Sequence, residues 1–276
     1  MMIKKIISSI VLVICLYPIL FVLIGSLMGN DEVSQYFNSV FDSKESIELF
    51  VLPKYVTLQA YIEILLDTPS FFAAFWNSVK TTLLILCGQL LVSLPAAWWF
   101  AQSSFRGKKL LYQFYIVVMI LPFVVTMLPQ YLVLKSLGLL NSHYSIVLPA
   151  IFSALPVFII CPYFQTIPEE ILESSRVDGA KEWQVFLNIG IPLAIPGIWI
   201  SIILNLIEYW GAVEAIIVFV EEPKLWTLPM FLNSIQMNKP GVSFVAAAIS
   251  MIPPILIMML GGRHLEEGLL NQIEGK

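Results

Sequence analysis

Read by polarity alone, the chain alternates between long charge-free runs and short charged interruptions. Six windows hold no Asp, Glu, Lys or Arg: Ile6–Met28, Thr81–Phe105, Leu110–Leu134, Tyr144–Pro168, Trp183–Ile207 and Pro240–Gly262. Each matches the roughly 20 apolar residues that a helix needs to cross a bilayer. The pattern therefore predicts an all-α integral membrane protein with six transmembrane helices. Lys4 and Lys5 precede the first window as they would a signal peptide, but the run is too long and no clean small-residue cleavage site follows. It is read as a retained helix. The expected organisation is residues 1–75 as the first helix plus an extracytoplasmic loop, and residues 76–276 as a five-helix core.

Composition agrees. The chain is 58% hydrophobic and 12% charged, and its mean hydropathy is +0.85. That leaves too little polar surface to cover a water-soluble globule. The net charge is -4, and no basic run suggests nucleic acid. Cys15, Cys87 and Cys161 form no CxxC pair, so neither a metal centre nor a redox motif is indicated. His143 and His264 stand alone as loop residues.

Lys4, Lys5, Arg106, Lys108, Lys109, Arg176, Lys181, Arg263 and Lys276 fall on one side of the expected membrane. Lys44, Lys54, Lys80, Lys135, Lys224 and Lys239 fall on the other. The richer side is expected to be cytoplasmic, with both termini. Prolines punctuate the runs, among them Pro95, Pro122, Pro129, Pro156, Pro192 and Pro196. Each frees a backbone carbonyl and tends to kink a helix. Proline is frequent in membrane helices generally and is also common around transport pathways.

One interruption is dense. "EEILESSRVDGAKEWQVF", Glu169 to Phe186, lies between the fourth and fifth runs. Pro168-Glu169-Glu170 reads as a helix start, with proline early and acids at the positive end of the dipole. Asp178-Gly179 then breaks the helix, glycine giving the backbone freedom for a sharp turn and Asp178 able to cap the next helix. That second helix carries Trp183, Phe186 and Leu187 at i, i+3, i+4, an apolar stripe. The segment suits either an interfacial helix on the bilayer or a docking surface for a cytoplasmic partner.

"ESSRVDGAKEWQVFLNIGIPLAIPGI", Glu173 to Ile198, resembles the EAA loop of ABC-importer permeases. Glu173, Asp178, Gly179, Ala180 and Pro192 match that motif, and Ser174 and Ser175 stand where the family commonly has alanines. "NSVKTTLLI", "FRGKKLL", "LPQYLVLKSLGLLNSHYSIVLP" and "FVAAAISMIPPI" are similar to maltose-type carbohydrate permeases, and to the smaller six-span subunit of the pair. The similarity is specific from about residue 53 onward and does not extend to 29–52.

The resemblance implies the type I ABC-importer permease fold and a carbohydrate import function. It implies a heterodimer with a second permease, two copies of a cytoplasmic ATPase, an extracytoplasmic sugar-binding protein and a bacterial inner-membrane location. Glu173, Ser174, Ser175, Asp178, Gly179 and Ala180, within a coupling loop at 169–190, would then engage the ATPase. The chain would bind no cofactor, with ATP and Mg used by the ATPase. The absence of GxxxxGK[ST] from the sequence agrees with that. The segment Glu221–Gly241 would correspond to a loop that meets the binding protein, and the tail ending Gly275-Lys276 to one that reaches the ATPase dimer.

Glu208 interrupts the fifth apolar run beside Asn205, Tyr209 and Trp210. An ionisable group at membrane depth is costly and usually faces a cavity or partner, and aromatic faces with polar groups suit a sugar. These four residues are candidates for the translocation path, though Glu208 and Glu214 near a helix end are equally well explained as wetted. The competing function is an ion-coupled secondary transporter with Glu208 as its ion site. No internal repeat of the kind common in that class is visible. No Ser/His pair, HExxH or paired intramembrane aspartates suggest an enzyme.

Overall fold

Each charge-free run becomes helix, as it must where lipid offers the backbone no hydrogen-bonding partner. The computed structural model describes residues 2–41, 53–235 and 239–262. Among these, β-type pairing is confined to one isolated bridge, Met28 to Val56. Of the segment 29–52, which the resemblance does not reach, residues 42–52 fall outside the described residues, as does the tail 263–276.

The helices are α1 (Met2–Gly25), α2 (Asn30–Phe41), α3 (Gln59–Leu66), α4 (Pro69–Gln102), α5 (Lys108–Ile120), α6 (Phe123–Ser136), α7 (Tyr144–Ile151) and α8 (Leu155–Gln165). They continue with α9 (Glu169–Val177), α10 (Glu182–Val185), α11 (Ile191–Leu193), α12 (Ile195–Trp210), α13 (Glu214–Phe219), α14 (Leu228–Ser234) and α15 (Pro240–Ser250). Four stretches are long and apolar enough to cross a membrane: Ile7–Gly25, Pro69–Gln102, Tyr144–Gln165 and Pro240–Gly262. Two more qualify as bent spans. α5 meets α6 at 95°, and Glu182–Leu193 meets α12 at 71°. The six expected runs are all present, two of them broken.

Prolines stand at the breaks and at helix starts. Pro122 sits in extended backbone (φ -67, ψ 148) between α5 and α6, where its missing N–H costs nothing. Pro156 and Pro196 occupy the first turns of α8 and α12, the position where proline is best tolerated. The second span begins at Pro69 and not at Thr81, because one exposed lysine, Lys80, ends a charge-free window without ending a helix.

Two compact units divide the chain. The first is Met1–Asn77 with Trp226–Pro253. Here Phe21 of α1 meets Phe244 of α15 edge to face, with centroids 5.5 Å apart. Asn30 Oδ1 accepts the Gly241 N–H at 3.1 Å, and Lys239 forms an ion pair with Glu63. Trp226 and Phe231 are half-buried in this unit. Phe231 lies against Phe71, with centroids 6.0 Å apart, and the Trp226 carbonyl accepts Asn77 Nδ2 at 3.1 Å.

The second unit, Ser78–Leu225 with Pro254–Lys276, holds the candidate site. Its core joins Ala97 and Phe100 of α4 to Val157, Ile160, Cys161 and Phe164 of α8, and to Ile167, Leu172, Val185 and Ala194. The α8 contributions fall at i, i+3, i+4 and i+7, one helix face. α8 crosses α12 where Gly197 lies beneath the Tyr163 ring. A Cβ there would come within 2.3 Å of Tyr163 Cδ2. Close approach through small residues is how helices associate where lipid removes the hydrophobic drive.

Candidate functional site

The charged segment folds as two helical arms joined by a tight turn. Pro168, extended at φ -60 and ψ 134, starts α9, and Glu169 and Glu170 fill its first turn. At the far end the Gly179 N–H donates to the Arg176 carbonyl and the Ala180 N–H to the Ser175 carbonyl, each at 3.0 Å. This crossed pair is a Schellman motif, which needs a left-handed residue at its centre. Gly179 supplies it with φ +86. A Cβ at Gly179 would meet no heavy atom within 4 Å, so the constraint is conformational and not one of space.

Asp178 is the C-cap of α9 and does not cap the helix that follows. Lys181 takes the N-cap position of α10, and its N–H donates to Gln184 Oε1 at 2.8 Å. The reason is geometric: the Schellman turn consumes Asp178 and Gly179, leaving the next helix to start three residues later. Ser174 and Ser175 return their hydroxyls to the Ile171 and Leu172 carbonyls, at 3.1 and 2.8 Å. They satisfy themselves within the helix and stay as compact as alanine.

Arg176 bridges the two arms. Its Nε donates to Glu182 Oε1 at 2.7 Å and its Nη2 to Glu182 Oε2 at 3.3 Å. The Glu182 hydrogen bond raises the Arg176 pKa, with Glu169 and Glu173 adding to the field. The pair is solvent-exposed and contributes about 0–1 kcal/mol. Burial of Leu172 and Val185 outweighs it, at about 1.5–3 kcal/mol for each side chain removed from water. The ion pair sets the angle of the arms, while the apolar anchors hold them.

The second arm does not bury the expected stripe as one face. After α10 the chain widens into a π-helical turn, Phe186–Gly190, a form frequent at functional sites. Phe186 turns inward against Trp98 of α4, with centroids 5.6 Å apart. Trp98 also meets Phe164 edge on at 5.2 Å. Trp183 and Leu187 stay exposed, as do Ile171 and Val177 of the first arm. The wider turn rotates Phe186 away from its helical neighbours. The outer face thus combines Glu173, Asp178 and Glu182 with uncovered apolar side chains. Trp98 has no signal in the sequence beyond its place in "AAWWFAQ".

The four path candidates separate on α12. Asn205 is buried, its Nδ2 donating to the Ser201 carbonyl at 2.8 Å. Asn205 Oδ1 is buried with no hydrogen-bond partner. Trp210 is buried, Tyr209 half-buried and Glu208 exposed. The Tyr209 hydroxyl reaches the side chains of Ser153 and Gln89. Gln89, buried on α4, donates to the Ala150 carbonyl at 2.9 Å, beside the irregular turn between α7 and α8. The structure therefore brings Tyr209 together with Gln89 and Ser153, which were not singled out. An isolated glutamine in an apolar run is the signal that would have found one of them.

Elsewhere in this unit the His143 Nε2–H donates to the Leu225 carbonyl at 3.2 Å. Burial, reinforced by Lys80, pushes the His143 pKa down, so the ring is neutral at pH 7. Among the described residues no three His, Cys, Asp or Glu side chains converge to hold a metal ion.

Residues 90–271 match the family described as binding-protein-dependent transport system inner membrane component. Protein LplC of Bacillus subtilis is 26% identical over 274 residues, covering 93% of this chain and 88% of the relative. The arabinooligosaccharides transport system permease protein AraQ of Halalkalibacterium halodurans is 24% identical over 259 residues, covering 93% and 90%. A solved chain of a bacterial ABC transporter involved in import of the acidic polysaccharide alginate superposes with a TM-score of 0.80 at 21% identity, covering 96% of this chain and 95% of that one. That likeness establishes a shared fold.

Proposed function

The chain belongs to the family of binding-protein-dependent transport system inner membrane components, and from that premise we propose that it is the permease subunit of an ATP-driven carbohydrate importer in which Glu169–Gly190 receives the ATPase. The observation that carries this is the two-armed segment. Its inner face is fixed to α4 and α8 through Leu172, Val185 and Phe186, while its outer face leaves charge and apolar surface uncovered. A docking element has to be rigid toward its own protein and unfilled toward its partner.

In this reading the ATPase binds ATP and Mg, since this chain lacks the phosphate loop. Glu173, Asp178 and the turn at Gly179 and Ala180 contact the ATPase, with Ser174 and Ser175 keeping the arm slim. A second permease completes the pathway within a heterodimer served by two ATPase copies. Both termini face the cytoplasm, and the 76–276 core spans the family match. The AraQ relative is named for arabinooligosaccharides, which supports a carbohydrate substrate. Asn205, Tyr209 and Trp210 line the path, Glu208 facing the partner permease from the exposed side. Membership of this family does not favour ion-coupled transport.

Affinity purification of the tagged chain from its own membranes in mild detergent tests the assembly. An ATPase, a second related permease and a binding protein are expected. Recovery of the chain alone would overturn the reading.

Gly179→Val tests the turn separately. A β-branched residue in left-handed backbone costs about 1–2 kcal/mol, so the arms should splay and ATPase retained in pull-downs should fall about fivefold or more. Gly179→Asn, which tolerates that backbone, should keep most of it. Equal retention by both variants would show that the turn is not needed.

A further inference from the structure

Asn141 is, among the described residues, the single non-glycine with positive φ, at +55. Left-handed backbone disfavours side chains, and asparagine is among the few that tolerate it. Such strain persists only where surroundings impose it and is concentrated at functional positions. The surroundings here are specific. The Asn141 N–H donates to the Phe219 carbonyl at 2.8 Å. Its Oδ1 accepts the Glu221 N–H at 3.2 Å and the Glu222 N–H at 3.0 Å. His143, two residues on, holds the Leu225 carbonyl.

One short loop thus grips the backbone of Phe219–Leu225 at four points and leaves the side chains of Glu221–Lys224 outward, while Phe219 and Val220 are buried. Glu221, Glu222, Pro223 and Lys224 are exposed in succession. Lys224 and Glu222 approach to only 3.9 Å, too loosely to fix the tip themselves. A connection with no further task would not need its backbone held from beneath by a residue in a disfavoured conformation.

We infer that Asn141 is a positioning residue that presents the charged Glu221–Lys224 tip to the extracytoplasmic binding protein. The inference rests on the proposed function and on the resemblance of Glu221–Gly241 to a loop that meets that protein. Through Asn141 the tip is pre-ordered, so docking pays no ordering cost. The residue acts on affinity for the binding protein and not on chemistry.

The test uses the whole importer in lipid nanodiscs with the binding protein recovered alongside it, reading ATPase rate against binding-protein concentration. Asn141→Gly keeps the backbone and removes the acceptor. The half-saturating concentration should rise roughly tenfold, as expected when two hydrogen bonds holding a loop are lost, with the saturated rate within about twofold. Asn141→Asp keeps the acceptor and should stay within about threefold of wild type. An unchanged half-saturation in Asn141→Gly, a fall in saturated rate alone, or an Asp variant that behaves like the Gly variant would each overturn the inference. Charge reversal at the tip, Glu222→Lys with Lys224→Glu, separates the two claims. If it leaves half-saturation unmoved, the docking reading itself fails. If it raises half-saturation while Asn141→Gly does not, the clamp alone fails.

Discussion

Gly197→Val is expected to cost the folded chain about 3 kcal/mol or more, enough to remove most of it from the membrane. A Cβ at Gly197 would sit 2.3 Å from Tyr163 Cδ2 and 2.8 Å from Cε2 and Cγ. The ring cannot swing aside cheaply, because it is part of the surface packed against the core of the second unit. α12 would have to lift from α8, and that crossing lies between the two-armed charged segment that precedes Ala194 and the stretch Asn205–Trp210 that follows it. The check is thermal aggregation of the co-expressed importer in detergent, where the midpoint should drop by several degrees. Tyr163→Ala should restore much of the loss, since it removes the obstructing ring. A wild-type midpoint in Gly197→Val, or no rescue, would show that the crossing is not tight in the membrane.

Glu173→Lys is the second large effect. Glu173 lies exposed on the outer face of α9, one turn before Arg176. A lysine there sets two cations side by side on a surface otherwise rich in carboxylates. If Glu173 meets a basic ATPase residue at a desolvated contact, reversal costs several kcal/mol. If the contact stays wet, the cost is about 0–1 kcal/mol. Transport into proteoliposomes should fall more than about tenfold while ATP hydrolysis continues, because the break falls between the two proteins. Glu173→Gln should lose less. Wild-type transport by Glu173→Lys would place Glu173 outside the contact.

The spans were legible because a charge-free run of bilayer length is rare in a chain that folds in water. Their bends were not. The chain has 17 prolines, yet Pro18 and Pro95 lie inside unbroken helices while Pro122 sits at a 95° break. The difference lies in tertiary partners, which local sequence does not carry. The charged segment Glu169–Phe186 was legible as helix, turn, helix. Its details were not, because a Schellman turn and an N-cap compete for the same Asp-Gly pair. Trp183, Phe186 and Leu187 read as one stripe only if the helix keeps 3.6 residues per turn, and here it does not.

Within the spans the obstacle is different. Lipid and protein interior are both apolar, so periodicity cannot separate the face that meets one from the face that meets the other. Gln89, Ser153 and Trp98 are invisible to it for that reason. Asn141 lies in a loop where no period applies at all.

The π-helical turn at Phe186–Gly190 has a consequence for how length variation is tolerated. It accommodates one residue more than a regular turn, with the Ile191 N–H reaching back to Phe186. Deleting Leu187 or Asn188 would let the segment close into a regular α-helix with its flanks nearly in place, because the wide turn spreads one extra residue over about the same rotation. The two arms would keep their directions, and the loss would fall on the inward placement of Phe186 against Trp98. A spare residue is stored in this turn, so a single-codon deletion here should be milder than the same deletion in α9 or α12, where each residue carries about 100° of register.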